Sequence, residues 1–178
     1  MYLNYGAIGA VIGHEITHGF DDEGAQFDAQ GNLENWWSET TLQHFHNLSQ
    51  CFIDQYTSIL DARVELHLNG RNTLGENIAD NGGVREAFEA YEQLGLQEPS
   101  LPGLQDLTNQ QLFFVSYANT WCSVTRSEKL RQNILYDPHS PARYRVNLPL
   151  ANYDAFSRVW NCSCEAEMNK GKSRCVVW

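Results

Sequence analysis

Two histidines and a glutamate near the start of the chain have the types and spacing needed for metal-assisted hydrolysis. His14, Glu15 and His18 form the pattern His-Glu-x-x-His. Residues four apart share one face of an α-helix, so both imidazoles can bind the same metal ion. Glu15 then lies beside the open coordination position, where a carboxylate can take a proton from water. Nitrogen ligands combined with a carboxylate suit zinc, which lowers the pKa of bound water to about 7.

The residues around this pattern predict a helix that packs against the rest of the protein. Apolar side chains recur at spacings of three and four, which predicts a buried helical face. Glycines interrupt the segment and make it a poor isolated helix, so tertiary packing must hold it in place. The motif alone leaves open a second interpretation, two surface histidines on an amphipathic helix. The predicted buried face consists of Ile8, Val11, Ile12 and Ile16.

A catalytic zinc needs a third protein ligand, and Glu76 stands out among the glutamates. A third histidine six residues after His18 is excluded, because Gly24 occupies that position. Asp80 lies four residues after Glu76, hence on the same helical face, where it can accept a hydrogen bond from a ligating imidazole. The alternative is that Glu76 only caps a helix, since Thr73 and Glu76 fit a capping box. Spacing alone leaves both interpretations open.

The rest of the chain is predicted to be mainly helical. Apolar periodicity and capping signals place one helix after Ser38, one after Thr73 and one after Thr108, which begins a capping box. A last helix is predicted from Tyr153 to Trp160, capped by Asn152. Strand signals are few, so the predicted fold class is mainly α.

Composition indicates one globular domain over residues 1–178 and excludes some partners. The net charge is -10 with only 12 Lys and Arg, which argues against nucleic acid, whose phosphates need clustered basic residues. No apolar run approaches the roughly 20 residues of a membrane span, and the first residues lack the pattern of a signal peptide.

Cysteines and glycosylation patterns indicate an oxidising compartment. Asn47-Leu48-Ser49 and Asn161-Cys162-Ser163 fit the N-glycosylation pattern. The 5 cysteines contain no Cys-x-x-Cys pair, which disfavours a metal cluster, and their odd number leaves one partner outside the chain. Free thiols are the alternative. Oxidised cysteines without a signal peptide predict that an N-terminal part of the protein is missing, as in an incomplete gene model.

Several long stretches in a fixed order carry a resemblance to a known family. They are His-Glu-Ile-Thr-His-Gly-Phe-Asp-Asp (14–22), Gly-Glu-Asn-Ile-Ala-Asp (75–80), Leu-Pro-Gly-Leu (101–104), Gln-Leu-Phe-Phe (111–114), His-Ser-Pro (139–141) and Cys-Val-Val-Trp (175–178). Together they resemble the neprilysin and endothelin-converting enzyme family of zinc metallopeptidases. The resemblance implies a thermolysin-like (gluzincin) catalytic subdomain, incomplete at its N-terminal side. It further implies one zinc ion held by His14, His18 and Glu76, with Glu15 as general base and Asp80 steadying a ligating histidine.

The same resemblance implies that His139 and Arg145 face the substrate and stabilise the tetrahedral intermediate. A fixed donor to the developing oxyanion contributes roughly 10²–10³ in rate. Pro138 and Pro141 brace the loop that holds His139 and make it rigid. Without the resemblance, a loop histidine and a surface arginine remain the alternative, and Arg143 competes for the role of Arg145.

The resemblance also implies a disulfide between Cys51 and Cys175, worth ~4–5 kcal/mol in the chain-entropy model. Cys122 and Cys162 would pair with a missing N-terminal portion, whereas Cys164 matches no family position. That portion would contain a substrate-gripping strand and a large helical domain that restricts access to short peptides. Its absence predicts exposed apolar surface.

The sequence therefore predicts a zinc-dependent metalloendopeptidase that cleaves short peptides on the amino side of apolar residues. The expected partners are a peptide substrate and the missing N-terminal portion, with no nucleic acid. The expected location is extracellular or at the cell surface, with membrane attachment only through an absent N-terminal anchor. The alternative function is a catalytically incompetent fragment that acts as a zinc-binding or interaction module.

Overall fold

The computed structural model describes residues 1–178 and consists almost entirely of helices. Helix α1 (Tyr2–Asn4) continues through a π-helical segment, Tyr5–Gly9, into α2 (Ala10–Thr17), and a 3-10 turn follows at His18–Phe20. This architecture confirms the mainly α prediction. The remaining elements are a 3-10 turn at Gly24–Gln26, α3 (Glu39–Thr57), β1 (Leu60–Asp61), β2 (Leu66–His67), α4 (Leu74–Gln93), α5 (Asn109–Thr120), α6 (Ser127–Tyr136), α7 (Ala142–Asn152), α8 (Asp154–Val159) and a 3-10 turn at Gly171–Ser173.

Helices α2 and α4 form the central pair, and glycines set how closely they cross. A Cβ atom on Gly83 would lie 2.4 Å from the backbone nitrogen of His14 and 2.7 Å from the carbonyl oxygen of Ala10. A Cβ atom on Gly13 would likewise lie 2.8 Å from the carbonyl oxygen of Gly83. Such separations are shorter than van der Waals contact, so only glycine permits this crossing. The glycines that weaken α2 as an isolated helix therefore allow its tertiary packing.

The core consists of two hydrophobic clusters that meet along α4. The first contains Val84, Phe88 and Tyr91 of α4, packed against α5 and Tyr153. The second contains Leu74 and Ile78 of α4 and side chains of α3, α6 and α7. Because α4 contributes to both clusters, it is held along its whole length. The short antiparallel pair of β1 and β2 lies beside the second cluster, with Leu60 opposite His67 and Asp61 opposite Leu66.

A disulfide links α3 to the end of the chain. Cys51 pairs with Cys175 across a sequence separation of 124 residues, as the family resemblance implied. Cys122, Cys162 and Cys164 are free within this chain. The bond joins the last residues to the second cluster, where Cys175 is buried.

The two predicted capping boxes have different outcomes. The Thr108 side chain accepts from the backbone of Gln111 and completes its capping box, and Ser38 caps α3 as predicted. The capping role of Thr73 is wrong, because its hydroxyl makes no cap hydrogen bond. The Thr73 hydroxyl instead donates to the carbonyl oxygen of Asn69 and accepts from Asn77. Glu76 therefore does not form the predicted capping box.

The C-terminal helices differ from the prediction. The last helix is α8, which begins at Asp154 rather than Tyr153, and Asn152 belongs to the end of α7 instead of capping α8. The Asn152 side-chain oxygen accepts hydrogen bonds from Gln55 and from the backbone of Cys175, so it is occupied elsewhere. The sequence analysis did not predict helices α6 and α7. Pro149 lies inside α7, where proline is normally excluded.

The predicted buried face of the first helix, formed by Ile8, Val11, Ile12 and Ile16, is wrong, since only Val11 is even half-buried. Ile8, Ile12 and Ile16 are 58%, 54% and 57% exposed. They border a groove of about 430 Å³ whose other wall includes Ala87 and Ala90 of α4. The spacing correctly predicts an apolar face, but no segment of this chain covers it.

Candidate metal centre

Helices α2 and α4 bring the three predicted metal ligands together. His14 lies on α2, His18 begins the 3-10 turn directly after it, and Glu76 lies in the first turn of α4. The two imidazole Nε2 atoms are 3.0 Å apart. His14 Nε2 lies 3.2 Å from one Glu76 carboxylate oxygen, and His18 Nε2 lies 3.5 Å from the other. The spacing of the histidines and the crossing of the helices thus produce one compact donor set.

This donor set fits a tetrahedral zinc ion. One ligand atom from each of His14, His18 and Glu76 lies within 4.8 Å of the others. Zinc bonds of about 2.0–2.1 Å in a tetrahedral arrangement place ligand atoms roughly 3.3 Å apart, close to the distances found here. Two imidazoles and one carboxylate leave the fourth position open, as in catalytic zinc sites.

The electrostatics of the site favour a cation. Burial opposes the charged form of His14, but the Asp80 and Glu76 carboxylates raise the pKa of His14 to about 9. Glu76 shows the reverse: burial opposes its charged form, but His14 and the neighbouring His139 lower its pKa. Without a metal ion, a proton on His14 therefore compensates the carboxylates. A divalent cation between the same groups would satisfy them in the same way.

Each histidine of the pair has a carboxylate against its other ring nitrogen. Asp80 Oδ1 lies 2.9 Å from His14 Nδ1. Asp21 Oδ2 lies 2.6 Å from His18 Nδ1, and Asp21 Oδ1 accepts hydrogen bonds from the backbone of Glu23 and Gly24. A carboxylate in this position fixes the tautomer and orientation of a ligating imidazole. Asp80 therefore lies within reach of His14, although His14 Nδ1 makes no hydrogen bond to it in this structure. Asp21 lies against His18, and the sequence analysis missed it although it follows His18 by three residues.

Glu15 and His139 are the accessible titratable groups of the site. Glu15 follows His14 on α2, and its side chain is exposed. His139 Nε2 lies 3.3 Å from Glu76 Oε1, so the 137–141 loop reaches one of the predicted metal ligands. Asp137 Oδ1 lies 2.8 Å from His139 Nδ1 and accepts a hydrogen bond from the His139 backbone. The sequence analysis missed this contact of Asp137 with His139 as well.

Arg145 is buried rather than open to solvent, and several groups hold it. Its guanidinium donates two hydrogen bonds of 2.8 Å to Asp80 and one of 3.4 Å to Glu76. The guanidinium also lies over the ring of Trp121, 3.9 Å from the ring centre, a cation–π contact. Burial lowers the pKa of Arg145, but the carboxylates raise it above its ordinary value, so the side chain stays cationic. Arg145, not Arg143, therefore reaches Glu76, one of the predicted metal ligands.

Pro149 leaves the backbone of Arg145 in need of a donor, and Tyr117 supplies it. In a regular helix the amide of residue 149 would donate to the carbonyl of residue 145, but proline has no N–H. The Tyr117 hydroxyl donates to that carbonyl instead, at 2.7 Å. Helix α5 thus contacts Arg145 twice, with Tyr117 at its backbone and with Trp121, directly after the helix, at its side chain.

Comparison with known proteins defines the class of protein. The sequence profile described as Peptidase family M13 matches residues 1–176. The chain therefore belongs to Peptidase family M13, which confirms the neprilysin-like family that its motifs indicate.

Individual relatives agree with this assignment. The chain is 50% identical over 179 residues to Neprilysin-11 of Caenorhabditis elegans, covering 99% of the chain and 21% of the relative. It is 51% identical over 180 residues to human Membrane metallo-endopeptidase-like 1, covering 99% of the chain and 23% of the relative. The chain thus spans less than a quarter of the length of these relatives.

Solved structures extend the agreement to the fold. The crystal structure of a Mycobacterium tuberculosis zinc metalloprotease in complex with an inhibitor matches with a TM-score of 0.91 and 36% identity, over 99% of this chain and 28% of that one. The crystal structure of PepO from Lactobacillus rhamnosis matches with a TM-score of 0.84 and 34% identity, over 99% of this chain and 26% of that one. The helical arrangement is that of the M13 zinc metalloproteases.

Proposed function

We propose that this chain supplies the zinc site and the general base of an M13 metallopeptidase. The observation that carries the proposal is the meeting of His14, His18 and Glu76, one ligand atom from each within 4.8 Å. Two carboxylates, Asp21 and Asp80, lie against the Nδ1 atoms of His18 and His14 and would orient the two rings. The expected cofactor is one Zn²⁺ ion per chain.

The reaction is hydrolysis of a peptide bond by an activated water molecule. When bound, zinc supplies a Lewis acid that lowers the pKa of a coordinated water to about 7 and polarises the substrate carbonyl. Glu15 takes the proton from the attacking water, because it follows His14 directly and its carboxylate is exposed and free to reach substrate. The same carboxyl group can pass that proton to the leaving amine.

His139 and Arg145 act on the negative charge that develops at the carbonyl oxygen. His139 projects from a loop onto the metal ligands, where its Nε2 can donate to that oxygen. Arg145 brings a buried positive charge to the same ligands, and its bidentate pairing with Asp80 keeps the guanidinium from moving. Asp80 thereby steadies both His14 and Arg145.

The family resemblance supports the substrate class and the setting that we propose. We propose short peptides cleaved on the amino side of apolar residues, within an extracellular or cell-surface protein. Residues 1–178 would form the C-terminal part of its catalytic domain, and a further N-terminal portion would complete the substrate site. The Cys51–Cys175 disulfide supports an oxidising compartment. None of the helices here combines the length and apolar character needed to cross a membrane.

Hydrolysis of a short apolar peptide by the purified chain, measured beside Glu15→Gln, tests this proposal. The parent chain should cleave the peptide, and a chelator should reversibly stop cleavage. Glu15→Gln should bind zinc as tightly as the parent but cleave at least about 10²-fold more slowly, because the general base is gone. Loss of zinc from Glu15→Gln, or hydrolysis at the parental rate, would contradict the assignment of Glu15 as base.

A second candidate function is a zinc-binding module that is inactive by itself. The exposed face of Ile8, Ile12 and Ile16 favours it, because apolar surface of this kind usually contacts another polypeptide. The same assay separates the two candidates. A parent chain that binds zinc but leaves the peptide intact would support the module, whereas chelator-sensitive cleavage would exclude it.

A further inference from the structure

The loop that presents His139 is attached to the helix that carries Glu76. Ser140 is buried, and its hydroxyl donates a 2.8 Å hydrogen bond to the side-chain oxygen of Asn77. Asn77 directly follows Glu76 on α4 and is fully buried. His139 directly precedes Ser140. One buried hydrogen bond therefore connects the neighbour of the metal ligand to the neighbour of the proposed oxyanion donor.

This hydrogen bond belongs to a short chain of buried polar groups. The Asn77 amide nitrogen donates to the Thr73 hydroxyl at 2.8 Å, and the Thr73 hydroxyl donates to the carbonyl oxygen of Asn69 at 3.1 Å. The Asn77 amide nitrogen is thus held by Thr73 and its oxygen by Ser140, which fixes the orientation of the amide. A buried amide held in this way can accept from Ser140 in only one position, so the register of the loop on α4 is defined.

The outer end of the loop has a weaker attachment. The Asn72 side chain donates to the carbonyl oxygen of Asp137 at 2.9 Å, but this hydrogen bond is exposed to solvent. Water competes for an exposed hydrogen bond, whereas breaking the buried one leaves the Asn77 oxygen without a partner. The Ser140–Asn77 contact is therefore the stronger of the two attachments.

We propose that Asn77 is a positioning residue that, through Ser140, fixes the 137–141 loop on α4 and so holds His139 Nε2 over the metal ligands. The inference rests on the proposed function, because it assigns Asn77 a role in presenting the oxyanion donor. Neither Asn77 nor Ser140 touches the reacting atoms. Both act through His139.

Asn81 provides a matched control. It lies one turn after Asn77 on α4, and its amide donates to the carbonyl oxygen of Asn77 and accepts from Asn152. Asn81→Ala removes a similar set of hydrogen bonds from the same helix, but Asn81 makes no hydrogen bond to the loop. A general loss of helix stability would affect Asn77→Ala and Asn81→Ala alike, whereas loss of loop position would affect only the first.

Amide hydrogen exchange of the metal-free chain tests the attachment itself. Ser140→Ala and Asn77→Ala should each raise the exchange rate of the His139 amide about 3- to 10-fold, the effect of losing one hydrogen bond, with little change in most α4 amides. Asn81→Ala should leave the His139 amide unchanged. An unchanged His139 amide in Ser140→Ala would overturn the proposal, and it would do so whether or not the chain binds metal.

Binding of acetohydroxamate to the Co²⁺-loaded chain, followed in the visible absorption of cobalt, tests the role. Ser140→Ala should weaken this binding about 3- to 10-fold at unchanged cobalt content. In a His139→Ala background Ser140→Ala should have no further effect, because Ser140 acts through His139. An additional loss in that background would overturn the positioning role. A parent chain that takes up no cobalt, or whose hydroxamate affinity ignores His139→Ala, would instead contradict the proposed function, and the exchange result would still decide the attachment.

Discussion

The two faces of α2 differ in both composition and environment. On one face, Gly13 meets Gly83 of α4, and His14 is buried against Asp80 and Glu76. On the other face, Ile12 and its neighbours one turn away on either side are more than half exposed. The polar face is therefore the packed one.

The difference shows that the candidate metal site is held by backbone geometry rather than by a hydrophobic stripe. Close approach of α2 and α4 depends on glycine at the crossing, and the same approach brings Glu76 within 3.2 Å of His14. Buried carboxylates then hold the imidazoles and Arg145. The isoleucines contribute little to this arrangement, because burial stabilises a side chain only where water is removed.

The largest expected effect comes from removing Glu76, the predicted ligand on α4 that meets the packed face of α2. Glu76→Ala should lower the zinc affinity of the chain more than about 100-fold, since changes to groups that merely support ligands already cost 10–100-fold. Competition with a chromophoric chelator measures this. Glu86→Ala, a glutamate of the same helix beside the isoleucine groove, is the matched control and should bind zinc like the parent. Equal zinc affinity in both variants would remove Glu76 from the ligand set.

An intermediate effect is expected at the helix crossing. Gly83→Ala should destabilise the chain by about 1–3 kcal/mol, because its methyl group would meet the backbone of His14 and Ala10. Chemical denaturation measures this free energy. Gly95→Ala is the control that separates a steric clash from backbone strain. Gly95 has no neighbour near its Cβ position, but its φ is positive at 60°. A Gly83→Ala variant as stable as the parent would show that the crossing tolerates a side chain.

The smallest effect on stability is expected on the open face. Ile12→Ser should change the free energy of unfolding by less than about 0.5 kcal/mol, because the side chain is 54% exposed and loses few contacts. Zinc affinity should also stay at the parental value. A loss of several kcal/mol would mean that the isoleucine face is packed in solution, and the contrast between the two faces would disappear.

Local patterns predicted the parts of the site that lie close together in sequence. The spacing of His14 and His18 requires only helical geometry, and the structure places their Nε2 atoms side by side. Glu76 was ambiguous, because its distance from the histidines depends on a crossing of two helices that spacing does not encode. The family motifs supplied that pairing.

Other features depended on tertiary contacts that no local pattern shows. From the sequence, the Thr73 hydroxyl fits a helix cap. Only the structure shows that this hydroxyl instead accepts a hydrogen bond from Asn77. A proline such as Pro149 by itself indicates a helix break. Only the structure shows that the Tyr117 hydroxyl reaches the carbonyl of Arg145. The isoleucine periodicity likewise identifies an apolar face but cannot say whether this chain covers it.

Zinc-edge X-ray absorption of the zinc-loaded chain tests the central claim most directly. The account predicts one zinc ion per chain with only nitrogen and oxygen neighbours at about 2.0–2.2 Å, including the outer-shell scattering of two imidazoles. Cys122, Cys162 and Cys164 are free and could compete for the metal. A sulfur neighbour at about 2.3 Å, or the absence of imidazole scattering, would contradict the site formed by His14, His18 and Glu76.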